Sequence, residues 1–228
     1  MEAVIPAQVD HNDGSAFTTR ITASRPLSSK AFELSLSKPP GFTFIPGQRV
    51  RLRHAGAERD YSIASAPAED ALRLCIRKVE TGSFSTRLAE ASAGTTLTFT
   101  GPYGYFTFKP SGRQAVFVAT GTGIAPFCAM AAAGVSGFIL LHGVSRASEL
   151  YYRNDFREKA SAYMPCLSGE PAAVADCYNG RVTAYMQNQL PAGSYDFYLC
   201  GRQDMVRDAT LLADERFPGT LVFTEVFY

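Results

Sequence analysis

From Gln114 to Ser145 the chain carries no Asp, Glu, Lys or Arg, and this one stretch decides most of what the chain can become. An uncharged run of that length can cross a bilayer as a helix. Here Gly121, Gly123, Pro126, Gly134, Gly137 and Gly143 interrupt it. They divide it into a strand (AVFVAT), a tight turn, an Ala-rich helix (PFCAMAAA) and a second strand (GFILLHGV). Short uncharged strands belong in a parallel sheet that buries both of their faces. The run is read as the core of an α/β domain, without membrane insertion.

The same grammar continues to the end of the chain. Strands are expected near 116–119, 138–142, 163–167, 196–200 and 221–225, with helices near 126–133, 152–160, 181–189 and 203–213 between them. Alternation of this kind builds a doubly wound parallel sheet. Residues before about 110 read differently. FTTRITASRPLSSKAFELSLS, QRVRLRHAG, ALRLCIRKVE and TTLTFTGPYG are short runs punctuated by Gly and Pro, and RLCIRKV alternates as a half-buried strand does. Together they suggest a small closed antiparallel barrel. GSFSTRLAEA, from Gly82 to Ala91, is the exception: a glycine turn running into a short helix. The expected division is therefore a β-barrel over residues 1–110 and an α/β domain over 111–228.

Composition narrows the function. Lys and Arg number 22 against 21 Asp and Glu, a net charge of +1 that gives no electrostatic footprint for nucleic acid. The five cysteines (Cys75, Cys128, Cys166, Cys177 and Cys200) show neither zinc nor iron–sulfur spacing, so free thiols in a reducing compartment are expected. MEAVIPAQVDHNDGS has no basic n-region or apolar core, which points to the cytoplasm. The three histidines, His11, His54 and His142, are scattered and read as incidental.

Two stretches carry candidate chemistry. In VATGTGIAPF a strand ends, a glycine turn follows and Pro126 opens a helix, where its missing N–H is harmless. Such a turn aims free N–H groups and a helix dipole at one point, as a pyrophosphate requires. A purely structural turn fits equally well, because Pro126 replaces the third glycine of the dinucleotide fingerprint. In RDYSIAS, alternation places Arg59 and Tyr61 on one face and Ser62 on the other unless the strand bends. The closing FTEVFY poses a third question: its two rings either plug a core or cover something flat.

The order of these segments resembles the ferredoxin–NADP reductase superfamily over nearly the whole chain. The resemblance rests on R-x-Y-S (Arg59–Ser62), G-x-x-S (Gly82–Ser85), G-P-x-G (Gly101–Gly104) and G-T-G-x-A-P (Gly121–Pro126). It is completed by LYY after the second strand, Cys200-Gly201 and the closing Glu225-x-aromatic. It implies an FAD-binding barrel followed by a nicotinamide-nucleotide domain. Arg59 would pair with the FAD pyrophosphate, Tyr61 would stack on the isoalloxazine, and the Ser62 hydroxyl would lie near flavin N5. Gly82, Ser83, Phe84, Ser85 and Thr86 would meet the phosphates. Gly121, Thr122, Gly123, Pro126 and Gly201 would hold the nucleotide, with Thr122 also touching FAD.

By the same resemblance Ser62, Cys200 and Glu225 form the catalytic set. Cys200 would stand beside the nicotinamide, although a small buried hydrophobe is the usual role of a cysteine. Phe227, with Tyr228 as an extra residue, would cover the flavin face opposite Tyr61. A 2′-phosphate needs cationic donors. Arg146 and Arg181 match two of those used by NADP-dependent relatives, while Ser168 is followed by Gly169 where an arginine is usual. NADP(H) is expected ahead of NAD(H). The implied activity is electron transfer between NADP(H) and a separate one-electron carrier, ferredoxin or flavodoxin. The alternatives are a free-flavin reductase or the reductase of an oxygenase, and a redox-sensing subunit that binds nucleotide without turnover.

Overall fold

A computed structural model describes residues 16–79, 84–169 and 176–227. In the first half, strands β1 (Phe17–Pro26), β2 (Ala31–Ser37), β3 (Arg49–His54), β4 (Ala57–Ser62), β5 (Ala71–Arg77) and β6 (Thr96–Tyr103) pair antiparallel in the order β4-β3-β6-β1-β2-β5. The Ile63–Leu74 bridge and the Ala64 N–H bond to the Arg73 carbonyl (2.8 Å) join the two edges, so the sheet closes. Alternation explains the barrel. On β3, Val50 and Leu52 are fully buried while Arg51 and Arg53 face outward. Helix α1 (Phe84–Glu90) follows β5 and buries Phe84 and Leu88. Gly82 and Ser83 lie outside the described residues, as does Tyr228.

The second half is a parallel sheet in the order β10-β9-β8-β7-β11-β12. Its strands are β7 (Gln114–Thr120), β8 (Ile139–Val144), β9 (Ala162–Leu167), β10 (Tyr178–Asn179), β11 (Tyr195–Arg202) and β12 (Leu221–Phe227). The helices are α2 (Ala125–Ala132), α3 (Arg153–Arg157), α4 (Val182–Asn188) and α5 (Gln203–Arg216). Two details differ from the sequence reading. The two-residue β10 is an additional edge strand, and the helix expected over 152–160 is confined to Arg153–Arg157. Tyr152 takes a left-handed conformation (φ 57°), which starts that helix late. The strand order reverses at β7, so the crevice beyond its C-terminal end is the natural ligand position.

The uncharged run is explained by α2. Every residue from Ala125 to Ala131 is buried, because the helix lies between the sheet on one side and the barrel on the other. A helix apolar on all faces is a buried one. No helix among the described residues is long and apolar enough to cross a membrane. One hydrophobic cluster joins Ala31, Ala64, Cys75 and Phe106 to Ile124, Phe127, Cys128 and Met130. Polar ties reinforce it: Tyr152 donates to Glu33 (2.9 Å), Lys30 pairs with Glu149 (2.8 Å), and Ser28 bonds Tyr151 (3.1 Å).

Candidate active site

A cavity of about 1190 Å³ lies between the barrel and the C-terminal ends of the parallel strands. From the barrel, Arg49, Arg59, Tyr61, Ser62, Arg77 and Phe84 line it; from the sheet side come Gly121, Thr122, Ser168, Arg181, Gly201 and Glu225. Phe227 also borders it, half-buried at the end of β12. Arg59, Tyr61 and Ser62 all reach the same space. Strand β4 ends at Ser62 and the chain turns into the Ile63 bridge, so strict alternation does not separate them.

The Ser62 side chain is the most informative atom group here. The residue is 3% exposed, and its buried Oγ has no hydrogen-bond partner among the described residues. A buried hydroxyl left unpaired costs about 1–3 kcal/mol, so a ligand atom that bonded it would remove a penalty. Tyr61 lies nearly parallel to Phe84 (centroids 6.2 Å, 21°). Burial pushes its phenol up to about 12, so it stays neutral. Arg59 donates to the Glu58 carbonyl (2.6 Å), and no carboxylate among the described residues pairs with it. An arginine without a carboxylate beside a cavity suits an anionic ligand. Ser85 accepts the Val79 N–H (3.1 Å) and Thr86 donates to the Val79 carbonyl (2.7 Å), so both side chains tie the start of α1 to Val79. Ser85 lines the cavity; Thr86 does not.

On the sheet side the wall is mainly backbone. Gly121 to Ile124 form one 3-10 turn, and α2 begins at Ala125 with Pro126 second. A Cβ on Gly123 would collide with the Cys200 carbonyl, and one on Gly201 (φ +137°) would collide with Thr120. The turn is thus pressed against the end of β11, leaving Gly121 and Thr122 to face the cavity. Gly123 and Pro126 support it from behind and do not line the cavity; nor does Arg146. Cys200 is fully buried between Ala119 and Glu225 in the sheet register and does not line the cavity. Burial holds its thiol well above the usual range, so it is no thiolate nucleophile.

Charged residues that sequence reasoning did not single out complete the rim. Arg202 grips Asp204 with two hydrogen bonds (3.0 and 2.8 Å). That contact, with help from Arg181 nearby, holds the Asp204 carboxyl below its usual range. Arg49 Nη1 donates to Glu225 Oε1 (3.0 Å) and Nε to Asp60 Oδ2 (3.2 Å). Burial raises the Glu225 pKa, and Arg49 opposes the rise. The proximity of Arg202 and Asp204 to Cys200-Gly201 in sequence was a usable signal. Nothing local in the sequence links Arg49 to Glu225. A buried hydroxyl, an arginine without a carboxylate partner among the described residues and a glycine turn pressed against β11 at Gly123 together suit a ligand with phosphates and a flat ring system.

Comparison with known proteins agrees with this geometry. Residues 19–108 match the family model of the oxidoreductase FAD-binding domain, and residues 117–210 that of the oxidoreductase NAD-binding domain. The electron transfer component of toluate 1,2-dioxygenase from Pseudomonas putida is 30% identical over 89% of this chain and 65% of its own length. Ferredoxin–NADP reductase B of Sorangium cellulosum is 36% identical over 63% of this chain and 64% of its own. The chain thus spans slightly less than two thirds of these curated relatives. Among solved structures, a ferredoxin NADP⁺ reductase from Neisseria gonorrhoeae with bound FAD and NADP superposes with a TM-score of 0.81 at 23% identity, covering 93% of this chain and 99% of that one. The cytochrome P450 reductase GcoB of Amycolatopsis gives 0.80 at 26% identity, covering 94% and 71%.

Proposed function

The chain belongs to the oxidoreductase family that joins an FAD-binding to an NAD-binding domain, and from that premise we propose that it moves electrons between NADP(H) and a separate one-electron carrier. FAD, when bound, would supply the conversion between two-electron and one-electron chemistry. The chain's own residues bind, orient and exclude water. Arg59 holds the pyrophosphate, Tyr61 supports the flavin ring, and the Ser62 hydroxyl bonds the flavin edge. Thr122 and the backbone from Gly121 receive the nucleotide, with Arg181 and Ser168 at the 2′-phosphate; Arg146, which does not line the cavity, keeps only the role that the resemblance assigns. Gly82, Ser83 and Tyr228, which lie outside the described residues, keep the roles that the resemblance assigns. Cys200 acts through packing: its carbonyl seats Gly123 and its register sets Glu225 at the cavity wall. The working domain boundary at 110/111 falls between the end of β6 at Tyr103 and the start of β7 at Gln114.

The observation that carries this reading is the buried Ser62 hydroxyl, without a partner among the described residues, at a cavity shared by the two domains. A ferredoxin or flavodoxin is the favoured carrier. The second reading, an oxygenase reductase, is favoured by the dioxygenase component that matches over 89% of the chain. A cytoplasmic site is supported by the free thiols of all five cysteines, four of them buried. Anaerobic stopped-flow reduction of the purified yellow protein by NADPH and by NADH tests the first half of the reaction. Screening ferredoxin, flavodoxin and oxygenase components tests the second. A colourless protein that takes up no FAD sinks the proposal, and equal rates with both nucleotides remove the NADP preference.

A further inference from the structure

We infer that Arg49 is a positioning residue that fixes the Glu225 carboxylate at the wall of the interdomain cavity. The inference rests on the reading above, in which Glu225 acts at the hydride-transfer site. The two residues are 176 positions apart, on β3 of the barrel and β12 of the sheet, and meet at 3.0 Å. The guanidinium also bonds a second carboxylate. Its Nε donates to Asp60 (3.2 Å), which is itself gripped by Arg51 at 2.7 and 3.1 Å. Tyr103 is its cross-strand partner on β6. Gly104 leaves the room it occupies, since a Cβ there would stand 2.8 Å from Nη1. One planar fork thus spans two carboxylates from two domains, which a lysine cannot reproduce.

The surroundings of Glu225 make Arg49 the counter-charge that matters. Glu225 is 14% exposed at its side chain. Asp60 of β4 adds a negative charge nearby, and the Cys200 thiol of β11 is neutral. Asp204 and Asp208 of α5 border the same cavity, while Arg51 is committed to Asp60. Arg59, Arg181 and Arg202 also border the cavity, but Arg49 is the cation that opposes burial and Asp60 at Glu225, so without it the carboxylate would take up a proton at higher pH. The end of β12, which carries Phe227, would also lose its tie to the barrel.

Arg49→Met should keep its FAD, since Arg49 is not among the pyrophosphate residues, but reduce flavin by NADPH about tenfold more slowly at pH 7. The acid limb of its pH–rate profile should move up by about one unit, the lower end of the effect of a neighbouring opposite charge. Glu225→Gln should be slow and lack that limb, and the double variant should be no slower than Glu225→Gln alone. Arg49→Lys should fall between wild type and Arg49→Met. If Glu225→Gln slows reduction while Arg49→Met retains the wild-type rate and profile, the inference fails and the proposed function stands. If Glu225→Gln changes neither rate nor profile, the reading of Glu225 beneath it fails. Should Arg49→Met retain too little FAD to assay, Arg49→Lys decides: an acid limb moved upward sustains the inference and an unmoved one overturns it.

Discussion

The two walls of the cavity are made of different material. The barrel offers side chains: Arg49, Arg59, Tyr61 and Ser62 project from β3 and β4. The parallel sheet offers main chain, with Gly121 and Gly201 at its face and charged groups such as Arg181 and Arg202 kept to the rim. A side-chain wall can lose one member and retain the others. A main-chain wall depends on close approach, so an added methyl group at Gly123 or Gly201 would meet neighbouring backbone. Electrostatics governs the first wall and steric exclusion the second.

The largest expected effect tests the second wall. Gly201→Ala would place a Cβ 2.9 Å from the Thr120 carbonyl oxygen, at a φ of +137° that disfavours any L side chain. Strain and overpacking together should cost about 3 kcal/mol or more, read from urea unfolding. An unchanged midpoint would break the contrast between the walls.

Next comes a pH effect seated in the sheet. His142 is fully buried on β8, bonded through Nδ1 to Tyr163 (3.1 Å), with Nε2 unpartnered. Burial lowers its pKa to about 3, so the folded protein holds it neutral while the unfolded chain protonates near 6.5. Its contribution is fully present above pH 6.5 and is lost as pH falls. Between pH 7 and pH 5 that loss is about 2 kcal/mol, and His142→Leu should abolish it. In the barrel, the hydrogen bond from Arg51 holds the Asp60 carboxyl below its usual range. For Glu69, bonds from Arg73 and the Ala66 N–H outweigh the larger opposing effect of burial. Their stabilisation is present above the ordinary carboxylate range and disappears only as pH falls through their depressed values. Unfolding series at pH 7, 5 and 3.5 should separate the two windows.

On the rim the effects shrink. Arg181→Ala should raise KM for NADPH about tenfold, about 1.4 kcal/mol, and leave NADH nearly unaffected; parallel changes would detach Arg181 from the 2′-phosphate. Arg202→Ala, which breaks an exposed pair with Asp204 (72% and 42% exposed), should change stability by less than about 1 kcal/mol. A larger drop in Tm would mean that the rim belongs to the main-chain wall after all.

What the sequence revealed follows the range of the interactions. The uncharged run was legible as strand, helix and strand because its burial is written in composition. The parallel, doubly wound sheet and the glycine turn followed from the same punctuation. Strand β10 was not legible, since two residues carry no period. The placing of Ser62 opposite Arg59 and Tyr61 depended on ideal alternation, which ends where β4 does. Cys200 lies in a strand buried from Tyr195 to Gly201, where no alternation tells which side chain meets a ligand. The Arg49–Glu225 contact could not be read at all. Glu225 stands out through its closing motif, but Arg49 looks like an ordinary outward strand charge until the fold brings the two strands together.

The hydrophobic cluster that passes from Ala31, Ala64, Cys75 and Phe106 into α2 and Tyr198 also has a thermodynamic meaning. Each half has a core of its own, but this third cluster is shared: removing the sheet would strip one side from Cys75, and removing the barrel would uncover α2. The two halves should therefore melt together, in one calorimetric transition whose van't Hoff and measured enthalpies agree. A nucleotide bound to either wall would then raise the melting temperature of both, because mass action on one half is felt by the single cooperative unit.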